Sequence, residues 1–207
     1  MDERELSQQD SLLLIHQMIE TAKKEQRDDG MGWILWGWML FAASVLTIAN
    51  LHFNWYGAFF FWNLFGIATI VIFIYETINT LLRKKRPKVR TYTKDLFEKL
   101  NAGFFISLMI IIVAINTGVP PTKGFALLIS LYAFWILIYG SALNFKPSVI
   151  GAYVTWGFGI AALFVKTFEL VMLMHAMGVL FGYIIPGHIA HREFNALHRK
   201  ENKAEGV

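Results

Sequence analysis

The 207-residue chain contains no cysteine, which excludes disulfides, cysteine-ligated zinc, iron–sulfur clusters and thiol catalysis together. Charge is also scarce: Asp, Glu, Lys and Arg make up 16% of the residues, where an ordinary soluble domain carries about a quarter. From Met31 to Tyr75, forty-five residues pass without a single one. One helix needs about 20 residues to cross the hydrocarbon core of a bilayer, so this run holds two crossings, with Asn54, Trp55 and Gly57 as the break of a tight hairpin. The sequence also lacks a Ser-His-Asp constellation, paired carboxylates and a phosphate-cradling glycine loop. Gly157-Phe158-Gly159 reads as close helix packing, and no enzyme and no cofactor are expected.

Apolar and aromatic residues fill the rest, at 56% and 15% of the chain. Uncharged runs recur at Leu100–Thr122, Gly124–Phe145 and Pro147–Val165, and Leu170–His191 carries only histidines as ionisable groups. The expected fold is all-α and polytopic: a bundle of six transmembrane helices over residues 31–189, at about 31–51, 56–82, 100–118, 124–143, 148–165 and 167–185. Pro120-Pro121 should stop the third helix, and Pro186-Gly187 should kink or end the sixth. Ahead of the bundle, residues 1–30 hold an amphipathic helix from Ser7 to Lys24. Its Leu12, Ile15, Ile19 and Ala22 fall at three- and four-residue steps. So short a helix is marginal alone in water, and its apolar face calls for lipid, the bundle or a partner. A basic tail, residues 190–207, closes the chain.

The basic residues set the orientation. The loop 83–99 carries Arg83, Lys84, Lys85, Arg86, Lys88, Arg90 and Lys94, and both ends of the chain add more. The connections on the other side hold Lys123 and Lys166 alone. Lys and Arg collect on cytoplasmic loops, so six crossings with both termini in the cytoplasm are expected. Arg83 to Arg86 then suit anionic lipid headgroups rather than nucleic acid.

Coupled transporters and pumps usually keep Asp, Glu, Lys or Arg inside the membrane to bind an ion or relay a proton. This bundle has none at mid-depth, and Glu76 sits near the cytoplasmic end of the second helix, either as an interfacial partner of Arg83 or Lys84 or as part of a vestibule. His175 is the one titratable group well inside a crossing. It shares a face with Gly178 and Gly182, whose small-xxx-small spacing lets another helix approach closely, within the bundle or in a homodimer. His175 reads as a buried imidazole bonded to a Tyr, Ser or Asn on a neighbour, or as a ligand or proton site. Asn63, Asn116, Ser130 and Thr155 complete the intramembrane polar set, as glue between helices or as the lining of a polar path. His188 and His191 form an i,i+3 pair that suits a divalent ion, though two histidines leave a metal site incomplete. Trp33, Trp36 and Trp38 read as an interface anchor, or with other tryptophans as a stack for a planar ligand.

The segment Ile34-Leu35-Trp36-Gly37-Trp38, followed by Phe41-Ala42-Ala43-Ser44 and later by Gly182-Tyr183-Ile184-Ile185-Pro186-Gly187, resembles a group of small six-helix bacterial inner-membrane proteins with no assigned activity. The resemblance implies a bacterial cytoplasmic membrane. The function expected is a channel or carrier for a small neutral or weakly basic solute, with His175 and the inward Asn, Ser and Thr residues on the path. The alternative is a non-enzymatic sensor or scaffold that binds a cytoplasmic partner through its N-terminal helix and basic loop.

Overall fold

The computed structural model describes residues 30–82 and 92–204 and is helical throughout these, without strands. In chain order the helices are α1 (Met31–Phe53), α2 (Phe60–Leu82), α3 (Tyr92–Asn116), α4 (Pro121–Ala142), α5 (Lys146–Phe164) and α6 (Phe168–Val179). A π-helical turn, Leu180–Ile184, then leads directly into α7 (Ile185–Ala204). Five helical stretches are long and apolar enough to cross a membrane: Met31–Phe53, Leu96–Asn116, Pro121–Ala142, Lys146–Phe164 and Phe168–Ala196. In α2 the apolar stretch described, Phe60–Ile72, is shorter. The expected N-terminal helix and the Arg83–Arg86 stretch lie outside the described residues.

Two expected boundaries are corrected. The third helix begins at Tyr92, eight positions before the expected start at 100, because the polar turn 92–99 still propagates a helix whose apolar part comes later. The last crossing does not end at Pro186, because the helix runs on through it into α7. A proline has no N–H to donate and its ring collides with the carbonyl four residues earlier, here Gly182. The π turn answers both problems: Ile185 N–H reaches back five residues to Leu180 O, and the wider turn makes room for the ring.

The hairpin between α1 and α2 closes where the sequence indicates, by added means. Asn54 takes a left-handed conformation (φ 54°) and donates its N–H to Asn50 O, a common way to end a helix. Asn50 itself is buried and clamps the loop, its Nδ2 donating to Tyr56 O (3.2 Å) and Gly57 O (3.1 Å) while its Oδ1 accepts from Tyr56 N–H (2.8 Å). On the same side, Lys123 Nζ donates to the carbonyl of Leu163, where a cation offsets the negative end of the α5 dipole.

The core is built around α6. Val171, Met172 and His175 are fully buried there, against Leu128, Ile129, Tyr132 and Ile136 of α4 and Leu40 of α1. Among the described residues, helices α4 and α5 form the tightest pair, α3 packs on α4 alone and α2 packs mainly on α1. Side-chain size sets the α5 approach. A Cβ on Gly151 would lie 2.5 Å from Phe181 O, and one on Gly182 would lie 2.6 Å from Thr155 Oγ1.

This seam gives a direct test. Gly151→Ala presses a methyl group onto a backbone carbonyl and is expected to cost about 1–3 kcal/mol, read as a lower unfolding midpoint in detergent. Gly157→Ala on the same helix, with nothing within 4 Å of its Cβ position, is expected to leave that midpoint unchanged.

Candidate functional site

The inward face of α6 is set by helical spacing: Val171, Met172, His175, Ala176 and Val179 are all buried. His175 lies at its centre with none of its surface exposed. Its Nδ1 is 2.8 Å from Ser44 Oγ on α1, and Ser44 Oγ also donates to Leu40 O at 2.9 Å in its own helix. A serine hydroxyl has one proton. Where that proton goes to Leu40 O, Nδ1–H is the donor to Ser44; where it goes to Nδ1, the ring proton sits on Nε2. Nε2 is buried and has no hydrogen-bond partner among the described residues.

Aromatic rings surround the imidazole. Trp62 lies 5.1 Å away at 88°, Tyr132 5.6 Å at 75° and Phe125 6.2 Å at 78°, all edge-on arrangements favoured by the ring quadrupole. Trp62 Nε1 donates to Met172 Sδ at 3.2 Å, which fixes the indole against α6. The ring contacts continue in both directions. On the hairpin side they pass from Trp62 to Phe125 (4.8 Å), Phe168 (5.3 Å) and Phe59 (5.6 Å). On the other side they pass from Tyr132 to Tyr183 (6.4 Å), Trp33 (5.3 Å) and Tyr139 (5.0 Å). His175 is thus the one imidazole in a ring-to-ring column along the bundle.

The other candidates are distributed differently. Thr155 is buried and its Oγ1 faces both Gly151 O (2.8 Å) and Gly178 O (3.0 Å), so it ties α5 to α6 at the Gly178–Gly182 seam inside one chain. Ser130 is half-buried and donates to Ala126 O at 3.1 Å in its own helix. Asn63 is exposed on α2 beside the inward Trp62. Asn116 is exposed at the last position of α3 and donates to Ile112 O at 2.8 Å. Neither converges on His175. Glu76 falls within α2, its side chain outside the described residues. His188 is exposed, and His191 Nε2 lies 3.0 Å from Asn195 Nδ2. Among the described residues no group of three or more His, Asp or Glu could hold a metal ion. Of the three N-terminal tryptophans, Trp33 joins the column, Trp36 packs edge-on against Phe65 (6.3 Å) and Trp38 is exposed.

Ser44, Asn50, Trp62, Met172 and Tyr132 are the residues that sequence reasoning did not single out as a site. A signal for the first two was available. Ser44, Thr47 and Asn50 stand three residues apart, a polar stripe on one face of an otherwise apolar helix, and all three are buried. Comparison with family models, with curated proteins and with solved structures yields no match. The class that the fold defines is a multi-pass helical membrane protein.

The Ser44–His175 contact is expected to behave as one unit. Ser44→Ala and His175→Phe should each lower stability, and the double variant should lose less than their sum, by roughly 0.6–2 kcal/mol. A double-mutant cycle on unfolding in detergent reads this coupling, and strictly additive losses would refute it.

Proposed function

We propose that the protein is a non-enzymatic membrane module, a sensor or scaffold acting through its cytoplasmic side, rather than a channel or carrier. The observation that carries this reading is the packing around His175, where among the described residues the rings of Trp62, Phe125 and Tyr132 stand edge-on to the imidazole and the Ser44 hydroxyl meets Nδ1. A solute path needs polar groups in sequence along it. Here Asn63 and Asn116 are exposed, and the hydroxyls of Ser130, Thr47 and Ser44 bond carbonyls four residues back in their own helices.

In this reading α2 supplies a sixth crossing, and both termini and the basic loop face the cytoplasm of a bacterium, as the concentration of Lys and Arg indicates. Arg83, Lys84, Lys85 and Arg86 meet anionic headgroups, and the N-terminal stripe meets a cytoplasmic protein partner.

Absence of native cysteine makes the test direct. Single cysteines placed from Met172 to Gly182 are treated in intact membranes with a membrane-impermeant thiol reagent. Ala176→Cys and Val179→Cys are expected to stay unlabelled, with reaction confined to the ends of the crossing. Labelling at these inward positions means that water reaches mid-membrane, and it would return the reading to a channel or carrier.

A further inference from the structure

The hairpin between α1 and α2 is aromatic where turns are ordinarily built from Gly, Pro, Asn, Asp and Ser. Of the nine residues from Phe53 to Phe61, six are aromatic, none is charged, and Asn54 and Gly57 alone are of the usual turn types. Phe53, Trp55, Tyr56 and Phe60 stand between 42% and 60% exposed. They form two stacked pairs, Phe53 on Trp55 (5.1 Å, 12°) and Tyr56 on Phe60 (4.3 Å, 19°). The backbone beneath them is held by the buried Asn50, which bonds the N–H of Tyr56 and the carbonyls of Tyr56 and Gly57. The rings are therefore presented on a fixed turn, and little further ordering is needed when a surface meets them.

Two lysines give the depth of this turn. Phe59 points inward and meets Phe168 at 5.6 Å, and Phe168 meets Phe125 at 5.3 Å. Phe125 follows Lys123 by two residues of α4, about 3 Å along the helix, and Phe168 follows Lys166 by two. Both lysines are exposed, and a lysine at the end of a crossing reaches for the lipid–water boundary. The outward rings beside Phe59 thus stand where hydrocarbon gives way to headgroups. Trp and Tyr collect at that level, because the ring is apolar while its N–H or O–H still finds a polar partner.

We propose that the α1–α2 hairpin is an interfacial anchor, with Phe53, Trp55, Tyr56 and Phe60 seated in the phospholipid headgroup layer on that side of the bilayer. No charge takes part, so a zwitterionic phospholipid suffices. The anchor stands apart from the sensor-or-scaffold reading, because a carrier would seat its hairpin in the same way, and it holds for either orientation of the bundle.

The absence of native cysteine supplies the test. Trp55→Cys and Phe60→Cys, made singly in the full-length protein, carry a nitroxide in phosphatidylcholine vesicles. Collision with oxygen, which concentrates in hydrocarbon, is compared with collision with a water-soluble nickel chelate. Ile110→Cys on the exposed face of α3 marks the acyl region, and Arg199→Cys, exposed near the end of α7, marks water. The oxygen-to-nickel ratio at both hairpin positions is expected to fall between these references and to exceed that at Arg199→Cys at least about fivefold. A ratio equal to that at Arg199→Cys puts the tip in water and overturns the anchor. Exclusion of both reagents overturns it too, because the rings are then covered by protein, whether a second copy or a partner. A further variant removes one stacked pair: Phe53→Ser with Trp55→Ser is expected to lower the ratio at Phe60→Cys about twofold, with the unfolding midpoint in detergent unchanged because both rings are exposed. An unchanged ratio in that folded variant counts against the anchor.

Discussion

Helices that meet with no water between them are held apart by the side chains on the contact line, and here that line runs through Gly151, Gly178 and Gly182. The absent side chains let α5 come close enough for Thr155 to reach the Gly178 carbonyl at 3.0 Å. With α5 at that distance, α4 closes over α6 from one side and α1 from the other, and the buried stripe Val171–Met172–His175 fills the middle. A wider α5–α6 spacing would loosen the packing of every residue in the stripe at once. Lipid tails are as apolar as leucine, so little drives such helices together except packing and hydrogen bonds.

Packing alone leaves polar groups to be satisfied, and the bundle satisfies several of them locally while His175 Nε2 and Thr69 Oγ1 find no partner among the described residues. Ser44, Thr47, Ser130 and Thr155 each bond a carbonyl four residues back, and Asn50 folds over the hairpin. Ser44 and Thr155 also reach a second helix, at His175 and at Gly178. Those two reach-across contacts pin α6 on opposite sides, one from α1 and one from α5. The aromatic column occupies the space that remains between α1, α2 and α4.

Much of the architecture was legible from charge and length. The break at Asn54, the stop at Pro120-Pro121 and the inward placement of His175 follow from uncharged runs, proline and the cost of an imidazole in lipid. The end of the last crossing was not legible. A proline read alone predicts a kink or an end, and nothing in Leu180-Phe181-Gly182-Tyr183-Ile184 announces the wider turn ahead of it through which the helix runs on. The polar set also divided in a way that spacing could not reveal. Asn63 and Asn116 look like Thr155 in a list of intramembrane polar residues, but helix ends and outer faces tolerate an amide that the centre would not. Ser44 entered only as part of a longer resemblance, although its three-residue spacing with Thr47 and Asn50 carried the information.

The π turn has a consequence for how the two ends of the last helix relate. Each residue of an α-helix rotates the chain by about 100°, so the one extra residue held between Leu180 and Ile185 acts as a fixed angular offset between the membrane rod and the stem beyond it. Met172 and His175 can thus face the bundle centre while Gly187 and Ala190 face the first residues of α1. Lose that residue and the stem turns by nearly a third of a revolution, with the sequence on either side unchanged. The orientation of everything beyond Pro186 is therefore a matter of counting, decided by a single position in the chain.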